Sequence, residues 1–293
     1  MQITMGMRVL SDAKIVFTAA IILGLTSPEF ALSLKSLITP ALVVAMSLSL
    51  RNLRLRELSV DAPTIAALFL NYGIQTLVIL GLSMALIDDR LLVLGFIVLA
   101  ATPPAVSLIP FTYILSGDLK LTTQAEVASY LLSLLYAPAL IFLLAGEGVD
   151  LGYLISTIGW LILIPLVVSQ ILSKIKSSLW RFDKAAVNLL IGLVIYAVLG
   201  LNQKIILTET GLFWTVNFVL FVKTFILGLV ALYGLGKTDK AITYSLFASY
   251  KNSGVAAAIA LALFPAKASL PIALNIVFES AYIIFLEILL RGD

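Results

Sequence analysis

Lysine, asparagine, serine and glycine stand in a row at Lys251-Asn252-Ser253-Gly254, between mostly apolar runs from Ala241 to Ala248 and from Val255 to Phe264. The whole stretch is long enough to cross a bilayer, which takes about 20 residues. A lysine at that depth costs roughly 2.5–3.5 kcal/mol on insertion scales, so it turns toward the protein interior and a partner. Asn-Ser-Gly beside it points to a helix whose hydrogen-bond ladder is interrupted, which frees backbone groups to bind something. The plain alternative is a lysine that snorkels and a glycine that lets two helices approach closely.

Few other polar residues fall inside apolar runs, so each can be weighed. Thr122, Glu126 and Ser129 share one stripe of a helix, and Asn275 and Glu279 share a face four residues apart. Asn71 and Gln75 do the same, as substrate contacts or as hydrogen bonds between helices. A buried lysine and carboxylate can exchange a proton, because burial and loss of the partner shift their affinities. Lys251 is therefore expected to pair with Glu126 or Glu279, as a coupling element or as a permanent ion pair. Lys223 reads as a packing lysine held by a nearby carboxylate or carbonyl. Glu287 reads as a snorkelling end residue and Asp88-Asp89 as a solvated turn.

The elements that must position these groups are membrane helices. The chain of 293 residues is 61% hydrophobic and 12% charged, with mean hydropathy +1.11. A soluble domain is not so apolar. Punctuation divides it into ten candidate spans at about 13–26, 34–50, 63–86, 91–116, 121–145, 151–173, 185–201, 211–235, 241–264 and 268–290. With the N-terminus inside, the outer loops carry only Lys35, Arg90, Lys204 and Lys267. The inner segments carry thirteen cations, Arg51, Arg54 and Arg56 among them. That bias predicts both termini on the cytoplasmic side of the plasma membrane.

Ten spans divide into repeats of five, about 1–147 and 148–293, within a single polytopic unit; five is odd, so equivalent halves are inverted. Pro103, Pro104 and Pro110 break span four where Lys251 to Gly254 interrupts span nine. Paired interruptions of this kind mark binding sites in secondary transporters. The first residues lack a signal-peptide layout. Cysteine and histidine are absent, which removes disulfides, thiolate nucleophiles and most zinc sites. No phosphate loop, HExxH or GxSxG is present. The reading is therefore not an enzyme, with no cofactor, no metal site and no nucleic-acid partner.

The chain resembles the bile acid/sodium symporter family. The likeness begins weakly at Ala45-Met46-Ser47-Leu48-Ser49-Leu50 and strengthens from Pro103 through Phe111-Thr112-Tyr113, Gly117-Asp118 and Tyr136-Ala137-Pro138. It returns at Asn252-Ser253-Gly254. The resemblance implies ten helices, a panel domain, a core domain, and discontinuous helices four and nine crossing at mid-membrane. It also implies departures. The family's Ser-Asn sodium ligands in span four read Leu108 and Ile109 here. Its glutamate and glutamine in span nine become Phe247 and Lys251. In span five its serine falls on Thr122 and its threonine on Glu126, while Asn252 is retained. Hard cations prefer oxygen ligands, so a fixed lysine cation stands where sodium is expected.

These readings converge on a secondary transporter moving a small organic anion by alternating access. Lys251, Glu126 and Thr122 form the coupling or charge-pair set. Asn252, Ser253, Glu279 and Asn71 face the substrate. Pro103, Pro104, Pro110 and Gly254 shape the crossover backbone. Lipid and protons or sodium are the other partners. The alternatives are sodium symport through a rearranged site, and a receptor or scaffold that transports nothing.

Overall fold

The computed structural model describes residues 5–53, 60–146 and 149–291. They are almost wholly helical, and no strand occurs among them. Lipid offers no hydrogen bonds, so long apolar runs close their backbone groups within helices. A short helix, Met5–Ser11, precedes α1 (Ala13–Thr26) and α2 (Pro28–Ser49); then come α3 (Ala62–Leu86), α4 (Arg90–Ala101) and α5 (Leu108–Ile114). Next are α6 (Leu119–Ala145), α7 (Leu151–Leu172), α8 (Asp183–Thr208) and α9 (Gly211–Gly234). The chain closes with α10 (Asp239–Ser249), α11 (Ser253–Leu263) and α12 (Leu270–Arg291).

Among the described residues, eight stretches are long and apolar enough to cross a membrane, α10 and α11 counting as one stretch; α1 and α4 are shorter, at 14 and 12 residues. The expected seventh span stops too early at 201. In the structure α8 continues to Thr208, and the Asn202 side chain is accommodated within it, its Nδ2 donating to Val198 O at 2.9 Å and Ser269 Oγ at 3.0 Å. The expected fourth span is two pieces, α4 and α5, separated by residues 102–107. Arg54, Arg56 and the repeat boundary at 147–148 lie outside the described residues.

Side-chain caps set many helix starts. Asp61, Asp89, Asp118 and Asp150 each accept amides of the first turn of α3, α4, α6 and α7. A carboxylate there satisfies orphan donors and opposes the positive end of the helix dipole. Asp89 is thus more than a solvated turn residue: its carboxylate also pairs with Lys267 at 3.0 Å.

Two packing sets emerge. In the first, α8 lies along α1 and α2, and α2 packs on α7. In the second, α3, α4, α6 and α9 to α12 pack on one another. The sets meet where α8 touches α12 and where α2 and α7 touch α11. Close approach is set by small residues: a Cβ at Gly95 of α4 would stand 2.0 Å from Ala268 O, so only glycine fits there.

Candidate functional site

Two non-helical stretches in the second set touch. After α4 the backbone turns extended at Thr102 (φ −73°, ψ 155°), and Pro103 and Pro104, which cannot donate a ladder hydrogen bond, follow. After α10 it turns extended at Tyr250 (φ −105°, ψ 140°) and becomes helical again at Ser253. The Asn252 amide donates to Pro103 O at 2.7 Å, which ties one stretch to the other. Asn252 then starts α11, its Oδ1 accepting from the Val255 amide at 3.0 Å. Pro110 falls in the first turn of α5, where a missing N–H costs nothing, so it begins a helix rather than breaking one.

Lys251 is fully buried at this junction. Its Nζ donates to Asn71 Oδ1 at 3.0 Å, Ala100 O at 2.9 Å and Thr102 O at 3.1 Å. The Tyr72 ring covers it at 4.8 Å, a cation–π distance. Ala100 is one residue from the end of α4, so the ammonium sits at the negative end of that helix dipole. Asn71 in turn directs its Nδ2 at the carbonyls of Phe247 (2.8 Å) and Tyr250 (2.9 Å), the open C-terminal end of α10. Asn71, Tyr72 and Gln75 occupy a π-helical turn, Phe69–Gln75, within α3. Such turns recur at functional sites.

The acid expected beside Lys251 is elsewhere. Glu279 Oε1 accepts from Lys223 Nζ at 2.8 Å, from Asn275 Nδ2 at 2.8 Å and from the Lys251 backbone amide at 2.8 Å. Lys223 also donates to Asn275 Oδ1 at 2.7 Å. Asn275 Nδ2 reaches Ser253 Oγ at 2.7 Å, and Ser253 Oγ donates to Glu279 Oε2 at 3.3 Å. Glu279 therefore caps the interrupted backbone while neutralising Lys223. Lys223 too lies in a π-helical turn, Val222–Ile226 of α9.

Glu126 is buried, and neither carboxylate oxygen has a hydrogen-bond partner among the described residues; the same holds for Ser129 Oγ and Gln75 Nε2. Tyr72 links the two regions. Its ring faces the Lys251 ammonium while its hydroxyl donates to Ser129 O at 2.8 Å, one helical turn from Glu126. Glu126 also lies within electrostatic range of Tyr72 and Tyr130.

Thr122 belongs to a different cluster, where its hydroxyl meets those of Thr112 (2.9 Å) and Thr243 (3.3 Å) and donates to Asp118 O (2.9 Å). The structure therefore gathers Lys251, Asn71, Asn252, Ser253, Glu279 and Pro103, and leaves Thr122 apart. Sequence reasoning missed Tyr72, Tyr130 and the carbonyls of Ala100 and Thr102. The unpaired proline stretch was the one signal that could have pointed to those carbonyls.

Comparison with curated proteins returns no match. The model of the SBF-like CPA transporter family matches residues 15–291, nearly the whole chain. With eight long apolar helical stretches among its described residues, the chain is an integral membrane protein that belongs to the SBF-like CPA transporter family.

Proposed function

We propose that this transporter moves a small organic anion by alternating access, with the Lys251 ammonium standing in place of a coupling sodium ion and Glu126 carrying a proton. One observation carries the reading. The Lys251 ammonium is buried on three neutral oxygens and an aromatic face, the surroundings a bare monovalent cation also prefers. Glu126, a buried carboxyl with no hydrogen-bond partner among the described residues, is available to take up and release a proton when its surroundings change.

In this reading α1, α2, α7 and α8 form a panel, and the other helices form a core that moves against it. Inverted repeats of five spans account for the paired features. Spans four and nine are each interrupted, and spans three and eight each contain a π-helical turn, as does span six at Gly159–Leu163. Asn252, Ser253, Asn71 and Glu279 border the path of the anion, and the termini face the cytoplasm.

The test needs no known substrate. Wild type and Lys251→Gln are purified, and thermal stability is compared in sodium, potassium and choline at two pH values. A ligand that binds only the folded state raises stability by mass action. The expected result is a wild type indifferent to sodium but responsive to pH, and a Lys251→Gln protein that sodium stabilises. Sodium-specific stabilisation of the wild type overturns the lysine-for-sodium reading. It would favour sodium coupling instead, for which the hydroxyls of Thr112, Thr122 and Thr243 beside Asp118 O are a group of oxygen ligands.

A further inference from the structure

Every polar atom of Asn252 is engaged, but not equally well. Its backbone N–H holds Pro103 O, its Oδ1 caps α11, and one Nδ2 hydrogen goes to Tyr130 Oη at 2.8 Å. The other points at Met46 Sδ at 3.4 Å. A thioether is a weak acceptor. The side-chain donors of Tyr250, Lys251 and Ser253 all find oxygen, so among the side chains of residues 250–253 this is the one donor left on a poor partner. Met46 comes from α2, in the opposite packing set. One turn earlier on α2, Leu42 closes on Gly254, where an added Cβ would stand 2.8 Å from Leu42 Cδ2. Both Met46 and Asn252 are buried, so these contacts shut the seam between the sets directly over the interruption.

We infer that the Met46 thioether is a stand-in, holding the Asn252 amide until a carboxylate oxygen of the transported anion replaces it, and that Met46 thereby sets what the seam admits. Methionine suits the task. It is unbranched, with three rotatable bonds and soft packing demands, so it withdraws without rebuilding its helix. A weak acceptor also keeps the amide desolvated yet cheap to release, whereas a full amide–oxygen bond would hold the seam closed. Met46 is on this account a specificity-determining residue. The inference rests on the transport reading above.

The chain has no cysteine, so Leu42→Cys gives one thiol at the seam. Its labelling by N-ethylmaleimide in proteoliposomes is followed with Met46 intact, with Met46→Gln and with Met46→Leu. Glutamine offers the amide a true oxygen acceptor; leucine offers none at similar volume. Labelling is expected to be about tenfold slower in Met46→Gln than in Met46→Leu, the methionine form lying between them. Should either variant misfold, norleucine in place of methionine exchanges sulfur for a methylene, and labelling must then quicken. Equal rates in the glutamine and leucine forms, or no change with norleucine, overturn the role of Met46 alone. A thiol at 42 that never reacts in any form shows a seam that does not open, and the alternating-access reading falls with it.

Discussion

Lys223 and Lys251 are both wholly buried and are neutralised in different ways. Lys223 has a carboxylate, Glu279, at 2.8 Å, and an amide oxygen, Asn275 Oδ1, at 2.7 Å. Lys251 has two backbone carbonyls, one amide oxygen and a tyrosine face, and Glu279 touches only its backbone amide. A direct ion pair in low dielectric is strong and stiff, and separating it exposes two charges. Neutral oxygens at a helix end solvate a cation much as water does, without a counter-charge to lock it. The first arrangement suits a fixed strut and the second a cation that changes partners. The difference lies in what surrounds each ammonium, since the residue type is the same.

The largest expected effect comes from removing the shared acid. Glu279→Ala leaves the Lys223 ammonium buried beside Asn275 alone and uncaps the Lys251 amide. Loss of one partner from a buried pair costs about 3–5 kcal/mol. Unfolding in mild detergent, followed by thermal or denaturant titration, should register that loss. Lys223→Met combined with Glu279→Gln should recover much of it, since the pair is then removed together. If Glu279→Ala costs no more than an ordinary surface change, Lys223 is not a strut and the contrast between the two lysines disappears.

The comparison sharpens when the other lysine is cut. Lys251→Met leaves Asn71 Oδ1 and Thr102 O without their donor, while Ala100 O keeps the Thr76 hydroxyl at 3.2 Å, and it strands no charge. The expected cost is about 1–3 kcal/mol, clearly below that of Glu279→Ala. A larger loss for Lys251→Met than for Glu279→Ala would reverse the assignment of roles.

Much of this architecture was legible in the sequence, and the illegible part has a physical cause. Pro103-Pro104 and Lys251 to Gly254 announce interruptions, because proline cannot donate and a polar cluster at membrane depth needs a reason. The start of α6 could be read from Asp118. Which acid serves which lysine could not. Glu126 lies near the start of α6 and Glu279 near the middle of α12, and the choice depends on how α6, α9 and α12 rotate about their axes. The rotation of α9 depends in part on the π-helical turn at Val222–Ile226, which shifts the face that follows by part of a turn. No residue pattern marks that turn. Thr122 and Glu126 share a stripe of α6, which is α-helical throughout, yet Thr122 meets the hydroxyls of Thr112 and Thr243 while Glu126 finds no partner among the described residues.

Glu126 offers a smaller effect and a sharper dissociation. Neither of its oxygens has a partner among the described residues, so Glu126→Gln breaks no contact. Its stability should stay within about 1 kcal/mol of wild type, the range for a change that strands no buried group. Transport should fall to background if Glu126 carries the proton. Full transport in Glu126→Gln removes it from the coupling scheme and leaves the two lysines to explain the cycle.

The smallest effect belongs to a third lysine, which gives the comparison a control near the end of the helices. Lys267 bridges Asp89 at 3.0 Å and Glu209 at 2.9 Å, and so joins the start of α4 to the end of α8. Burial pushes the Asp89 carboxyl up, but hydrogen bonds from Lys267 and from the Leu92 and Leu91 amides outweigh it, and its pKa lies below the ordinary value. Lys267 lies above its ordinary value, chiefly through the hydrogen bond to Glu209 and against burial. The signs fix the window. The Asp89 contribution is complete above its unfolded value, about 3.9, and fades as pH falls through its lower folded one; that of Lys267 is complete below about 10.4 and fades as pH rises through its higher folded one. Between about pH 5 and 9 the Asp89 and Lys267 contributions are therefore indifferent to pH. Lys267→Gln should cost about 1 kcal/mol or less, shrink further at high salt, and leave the pH profile of stability across that window unchanged. A flattened profile in this variant would move the pH response from the buried groups to the cluster.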